Sequence, residues 1–504
     1  MVNLQHPAHV YQQLMRDGHL SSQDLVSAFL DQIDRHNGQG LGLRAVLSVC
    51  PKETALAQAR QLDEERRRGE TRSELHGIPI IIKDAIVTHP CLGMTTTAGS
   101  CAIASLTAKR NATVVELLIK AGVIVLGKGN MTEFSGMKSN NTPMGWSGYG
   151  GQTLSAFRRP DLDEKDQPVS GGSSAGPAVS VAAGFSPLAI GTETGGSNVL
   201  PASMNALYGL TLPHRSVPMD GVAKIADFTD RIGLMAHNPR DLLSLVKILL
   251  MDTDSQGKDS SLDMTTKVAD FGGLSVGVLD SQWGTHSSSD WKWGSQQVKQ
   301  EYASVAEKLG ALGARVTFPL RDPPEPSLLK AEGETLMTVC YHEFPGVLRD
   351  FIATNFEHDP NIRDLRDIVA WNQAHAERAM PEPYTTQTEL IASLHNTMDQ
   401  KKHDAAAAGL RHLGRQEGMA KMMRDLDLDI VLSASDAELI SFSASAGWPV
   451  ATVPVSKLTK NDQPWGMFAL PRDGRLDLLA RFLIAFGQHF GDSRGPKRPF
   501  EGVL

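Results

Sequence analysis

Short apolar runs set directly after amphipathic helices place the tightest limit on how this chain can fold. Residues 112–121 have helical periodicity and pass through Ala121-Gly122 into VIVL, residues 123–126, which reads as a buried strand ending in the loop GKGN. The same order recurs in VSVAAGFSPLAIG, residues 179–191. A third β-branched run, IPIII at 78–82, has no polar residue in it, as expected of a strand covered on both faces. Helix followed by buried strand, repeated, argues for an α/β core with much parallel sheet. Near the start, residues 21–37 read as an amphipathic helix. Ser21 is placed to cap it, Asp24 follows three positions later, and Leu25, Val26, Phe29, Leu30 and Ile33 form the apolar stripe before Asn37-Gly38.

The texture changes after about residue 252. The polar stretch DTDSQGKDSSLD, 252–263, reads as a surface loop or hinge, and PLRDPPEPS, 319–327, is a second break. Between them LSVGVLD, 274–280, has strand character and 296–312 has helical character, while 327–425 is mostly helical. Strand character returns in DIVLSAS, 429–435, and PVATVPVS, 449–456. The expected organisation is one domain over residues 1–504, its central sheet fed by both ends of the chain, with a mostly helical insertion at about 285–430.

Composition excludes several function classes. A chain of 504 residues with 41% hydrophobic and 21% charged residues is globular in type, and a formal net charge of -8 gives no basic surface for nucleic acid. No run approaches the roughly 18 apolar residues that a membrane span needs. The N-terminus has no basic leader followed by an apolar core, and the four cysteines are too scattered for a disulfide framework, so the expected location is cytoplasmic. The 16 histidines lack ligand spacing, and neither a metal nor another cofactor is expected.

Two familiar motifs fail on their surroundings. Residues 122–128 match a phosphate-loop spacing, but Gly129 replaces the hydroxyl residue and the middle four read as strand. Residues 172–176, GSSAG, match the pattern around a nucleophile elbow with Ser174 at its centre. The approach to it, DEKDQPVS, is polar and turn-like where a strand is required. More informative is the segment 168–203, where two Gly-Gly-Ser turns bracket a helix and a strand. Glycine pairs permit close backbone approach, and successive amide N–H groups in such a loop can converge on an oxyanion. Lys83, at the end of the 78–82 run, would emerge where that strand leaves the core. Such a lysine either lays its methylene stem on apolar surface and keeps its ammonium in water, or is desolvated so that its pKa falls toward that of a usable base.

Taken with TTTAGS, GKGNMTEF, GGQT, PASMNALYGL, DRIGLMAHN and AGWPVATVPV in that order, the lysine after GIPIII, the serine in GGSSAG and the serine in TETGGS resemble the amidase signature family from about residue 20 to 490. The resemblance implies a central mixed, mostly parallel sheet wrapped by helices. It also implies a Ser-Ser-Lys triad: Ser197 as nucleophile, Ser173 as the bridging hydroxyl after a cis peptide, and Lys83 as base. The backbone amides of Thr194, Gly195, Gly196 and Ser197 would form the oxyanion hole, with Met131 and Gly172 in the substrate site. The implied reaction is hydrolysis of a small-molecule carboxamide through an acyl-enzyme, without cofactor, nucleic acid or membrane, and a homodimer is compatible with it. Alternatives are acyl transfer to an amine or alcohol, the ammonia-releasing subunit of a tRNA-dependent amidotransferase, and a non-enzymatic binding protein.

Departures from the family pattern concern the surroundings of the triad. Asn198-Val199 stands where many members have Ile-Arg, GLTLPHRSV replaces the common GLKPT, and GLM at 233–235 replaces GPM. The acidic block ADFTD, 226–230, reads as structural. Trp283, Trp291 and Trp293 read as packing residues. His358, His375, His395 and His403 are expected to face solvent.

Overall fold

In the computed structural model, which describes residues 2–250, 270–285 and 295–491, the polar stretch 252–263 and Trp291 and Trp293 lie outside the described residues. The strands are β1 (Val46–Val49), β2 (Pro79–Lys83), β3 (Ile124–Gly129), β4 (Trp146–Ser147), β5 (Gly151–Gln152), β6 (Leu188–Glu193) and β7 (Tyr208–Thr211). They continue with β8 (Arg231–Ala236), β9 (Ser275–Val278), β10 (Arg315–Thr317), β11 (Ile430–Ala434), β12 (Val450–Lys457) and β13 (Pro464–Pro471). Eleven of them form one mixed sheet in the order β1-β3-β2-β6-β8-β7-β12-β13-β11-β9-β10, and β4 and β5 make a separate hairpin. Parallel pairing unites β3, β2 and β6 on one side and β11, β9 and β10 on the other. The strands between these blocks pair antiparallel. Both halves of the chain therefore feed the sheet, and the α/β expectation holds.

The local reasons are those that the apolar runs suggested. Every residue of β2, β3, β6 and β8 is buried, so these strands show no inside-outside alternation. Burial of β3 from end to end also removes the phosphate-loop reading, because its middle residues are ladder and not exposed amides. The amphipathic helix expected at 21–37 is Ser22–His36, preceded by a shorter helix Ala8–Arg16. Ser21 accepts from the Asp24 N–H while the Asp24 carboxylate accepts from the Ser21 N–H, and the whole expected stripe is buried. The helix Ala175–Ala182 lies wholly in the interior, which its small residues allow. At Gly176 a Cβ would stand 2.2 Å from the Asn130 nitrogen and 2.3 Å from the Ala45 carbonyl oxygen, so only glycine fits there.

A buried ion pair braces the strand ends. Lys128 in β3 lies 3.3 Å from Asp84, just beyond β2, and both side chains are essentially without exposure. Lys128 Nζ also donates to the Thr96 hydroxyl at 2.7 Å, and the Thr97 N–H donates to Asp84 at 3.0 Å. Removing one partner leaves a buried charge uncompensated. Lys128→Met is expected to lower stability by about 3 to 5 kcal/mol, read as a lower midpoint in chemical denaturation.

Helices Leu336–Asn355, Leu365–Ala374, Thr388–Leu394, Gln400–Gln416 and Gly418–Asp425 form the helical stretch of the second half. The preceding helix Gln296–Ala311 and β10 belong to the sheet edge, where β10 pairs with β9, so the helical part starts later than 285. It is fastened to the core by buried Lys138, which pairs with Glu133 at 2.8 Å and donates to the Ala379 carbonyl. Trp146 and Tyr384 add a ring contact with centroids 4.8 Å apart. Trp283 packs against Phe442, as a packing residue should. His358 and His395 are exposed and His375 is partly buried, but His403 corrects the expectation of four solvent-facing histidines. It is 8% exposed, with Nε2 2.9 Å from Glu343 and Nδ1 2.9 Å from Asp404. No described helix is long and apolar enough to cross a membrane.

Candidate active site

Because β3, β2 and β6 run parallel, their C-terminal ends open on one edge of the sheet, where α/β proteins gather ligands. Lys83 closes β2, Asn130 follows β3, and the loop 194–198 follows β6. The segment around Ser173 lies across these ends. The Thr132 N–H donates to the Ser173 carbonyl at 3.0 Å, and the Gly176 N–H donates to the Asn130 carbonyl at 2.8 Å. A third bond, from the Ser174 N–H to the Ser197 carbonyl at 3.0 Å, ties the two Gly-Gly-Ser turns together. The Gly172–Ser173 peptide is cis. A Cβ on Gly172 would meet the Thr132 hydroxyl at 2.7 Å and Met144 at 3.0 Å, so the turn needs glycine there.

Lys83 is fully buried and ends in a cage of hydroxyls. Its Nζ lies 2.7 Å from Ser173 Oγ, 2.8 Å from Thr192 Oγ1 and 3.2 Å from Ser135 Oγ. Burial depresses its pKa to about 7, against the opposing pull of the Asp230 and Glu193 carboxylates. A neutral amine has two N–H groups and one lone pair, which three hydroxyl neighbours can satisfy, with Ser173 donating its proton to nitrogen. This is the arrangement of a base poised on a hydroxyl. Ser173 is 5% exposed, whereas Ser197 is only partly buried and its hydroxyl has no protein hydrogen-bond partner among the described residues. The structure thus brings Lys83 and Ser173 into direct contact and holds Ser197 beside them through its backbone.

The loop after β6 is shaped by a carboxylate that the motif reading passed over. Buried Glu193 accepts from the N–H groups of Gly196, Asn198 at 2.7 Å and Val199 at 3.1 Å. The N–H groups of Thr194, Gly195 and Ser197 have no protein acceptor among the described residues, which leaves them for an oxyanion. Gly196 departs from the expected set of four because its amide is engaged by Glu193. Asp230 supports the same loop by accepting from the Thr194 hydroxyl at 2.9 Å and from the Ile225 N–H at 2.8 Å. Burial pushes its carboxyl up to about 6, although these hydrogen bonds and Lys83 work the other way.

Other expectations resolve as follows. Ser174 is fully buried, and its hydroxyl donates to the Thr192 carbonyl at 3.2 Å, so it braces the end of β6 and is no elbow nucleophile. Met131, which follows β3 directly after Asn130, is also fully buried. The hydroxyls of Thr192 and Ser135 around Lys83 escaped sequence reasoning. Thr192 lies within TETGGS, but nothing in that string says which of its residues will reach a strand more than 100 positions earlier. On the outer side, Leu336 comes within 3.9 Å of a Cβ built on Gly195, and Ile440 within 2.8 Å of one on Gly196.

A family model described as Amidase matches residues 24–467. Among solved structures, the peptide amidase from Stenotrophomonas maltophilia superposes with a TM-score of 0.85 at 28% identity, covering 98% of both chains. Among curated proteins, a glutamyl-tRNA(Gln) amidotransferase subunit of Chloroflexus aggregans is 36% identical over 266 residues, 52% of this chain and 50% of that one. The match thus spans only about half the length of that relative. A probable amidase of Arabidopsis thaliana is 28% identical over 447 residues, 86% of this chain and 80% of that one.

Proposed function

This chain belongs to the amidase family, and on that premise we propose that it hydrolyses a small-molecule carboxamide through an acyl-enzyme on Ser197. The observation that carries the reading is the 2.7 Å contact between fully buried Lys83 and Ser173, in a setting that favours the neutral amine. Lys83 accepts the Ser173 proton as Ser173 accepts that of Ser197, and Ser197 Oγ adds to the amide carbonyl carbon. The free amides of Thr194, Gly195 and Ser197 receive the oxyanion. On collapse, the C–N bond breaks and the relay returns the proton to the leaving nitrogen, which departs as amine or ammonia. Water, deprotonated by the same relay, then attacks the ester carbonyl, giving acid and free Ser197. A serine-lysine arrangement does here what histidine does in other serine hydrolases.

The test is a panel of neutral carboxamides followed by release of ammonia or amine, with hydroxylamine added in a parallel series. An accepted amide is expected to give the acid alone and the hydroxamate when hydroxylamine competes with water, both absent in Ser197→Ala. Turnover without hydroxamate, or turnover that survives Ser197→Ala, would reject the acyl-enzyme. A second reading, the ammonia-releasing subunit of a tRNA-dependent amidotransferase, has in its favour the 36% identity to the Chloroflexus protein over 266 residues. Glutaminase activity that appears only with co-purified subunits would favour it over a free-standing hydrolase.

A further inference from the structure

Behind the loop that carries Ser197 the chain buries a guanidinium that the relay leaves unused. Arg231 opens β8, stands directly opposite Glu193 in the antiparallel β6/β8 ladder, and follows Asp230 in sequence. It is 2% exposed. Its Nη1 donates to the Trp448 carbonyl and, at 3.1 Å, to the Ser443 hydroxyl, while Nε and Nη2 have no hydrogen-bond acceptor among the described protein groups. A buried arginine with three of its five N–H donors idle is expensive to keep, so its charge needs a use.

The carboxylates opposite it in the ladder and beside it in sequence supply one. Glu193 and Asp230 act on Arg231, and the same two carboxylates act on Lys83, so two buried cations share one pair of anions. Both carboxylates also shape the site, Glu193 by holding three amides between 196 and 199 and Asp230 by holding Thr194. The remaining polar groups do not compete for this role. His214 is driven down to about 4 by burial and by Arg411, Arg215 and Arg231, and is neutral. Arg411 is taken by the carbonyls of Ala444, Ser445 and Phe228, and burial keeps the Cys340 thiol beside Thr229 protonated. Asn198 and Val199, where many family members have Ile-Arg, bring no cation to this region.

We infer that Arg231 is a positioning residue: it serves as counter-charge to Glu193 and Asp230, keeping the 194–199 loop in shape and relieving Lys83 of that task so that Lys83 can act as a neutral base. The inference rests on the reading of Ser197 and Lys83 given above. With Arg231 gone, the two carboxylates would draw on Lys83 and hold it protonated to higher pH.

The test is the rate of fluorophosphonate labelling against pH, with thermal unfolding recorded alongside, in wild type, Arg231→Met, Arg231→Lys and Asp230→Asn. Arg231→Met is expected to move the labelling midpoint up by about one pH unit, making it about fivefold slower at pH 7 and nearly equal to wild type above pH 9. Arg231→Lys is expected to restore the midpoint. Asp230→Asn, which takes one anion from Lys83, is expected to move it down, and this serves even if Arg231→Met does not fold. A lower unfolding temperature with an unmoved midpoint in Arg231→Met, or an upward shift in Asp230→Asn, would overturn the inference and leave the relay standing. Wild-type labelling that does not depend on Lys83 would instead bring down the reading beneath it.

Discussion

Ser197→Ala is expected to lose at least about 10⁴-fold in kcat/KM toward any accepted carboxamide while unfolding at the wild-type temperature. The separation of the two readouts follows from the surroundings. The Ser197 side chain is partly exposed and bonds to no protein group among the described residues, so its loss leaves no buried donor or acceptor behind. The bond from the Ser174 N–H uses the Ser197 carbonyl and survives the substitution. Ser174→Ala is the opposite case. It removes a fully buried hydroxyl that holds the Thr192 backbone, and is expected to cost about 1 to 2 kcal/mol of stability with little loss of activity. Amide turnover normalised to folded protein separates the pair, and a Ser197→Ala enzyme that kept more than a few per cent of its rate would take Ser197 out of the chemistry.

Lys83→Met is expected to lower kcat by about 10³-fold or more, since both the base and the later proton donor go. In wild type the rate should climb as pH rises through about 7 and then level off, because only neutral Lys83 can accept a proton. In the variant that limb should vanish. Wild-type stability should also rise with pH, although the substitution itself acts on it oppositely to its effect on rate. The unfolded chain protonates this lysine below about 10.5 and the native chain only below about 7, so between those values the unfolded state binds more protons and native stability rises with pH. Below pH 7 the full cost of burying the charge is present. Lys83→Met removes that cost and should be the more stable protein at pH 6, on the order of a few kcal/mol, with the advantage fading toward pH 10. Denaturant titrations at both pH values check the sign.

What could be read from the sequence was whatever burial writes into a short string. The runs at 78–82 and 123–126 lack polar interruption because β2 and β3 are covered on both faces, and Lys83 drew notice because it ends one of them. The antiparallel middle of the sheet, β6 through β13, was not legible, because pairing direction is decided by partners far apart in sequence. The hydroxyl cage shows the same limit: Thr192 reaches Lys83 across 109 positions and Ser135 across 52, through a register that no single segment contains. Gly196 was expected to be an open amide donor because a Gly-Gly-Ser turn can present all its N–H groups, and only the fold shows Glu193 turning back to engage one. His403 was expected at the surface because the helical region around it is polar. The helical period carried the better signal, since His403, Ala406, Leu410 and Gly414 share the buried face.

The direct measurement is the site and pH dependence of a single covalent event. Wild type, Ser197→Ala, Ser173→Ala, Ser174→Ala and Lys83→Ala would be treated with a fluorophosphonate from pH 5 to 9, followed by intact mass and peptide mapping. One label on Ser197, gained more quickly as pH passes about 7, slowed by loss of Lys83 or Ser173 and indifferent to loss of Ser174, is the expected result. No label on wild type, or a label that maps to Ser174, would contradict the assignment of Ser197 as a nucleophile driven by Lys83.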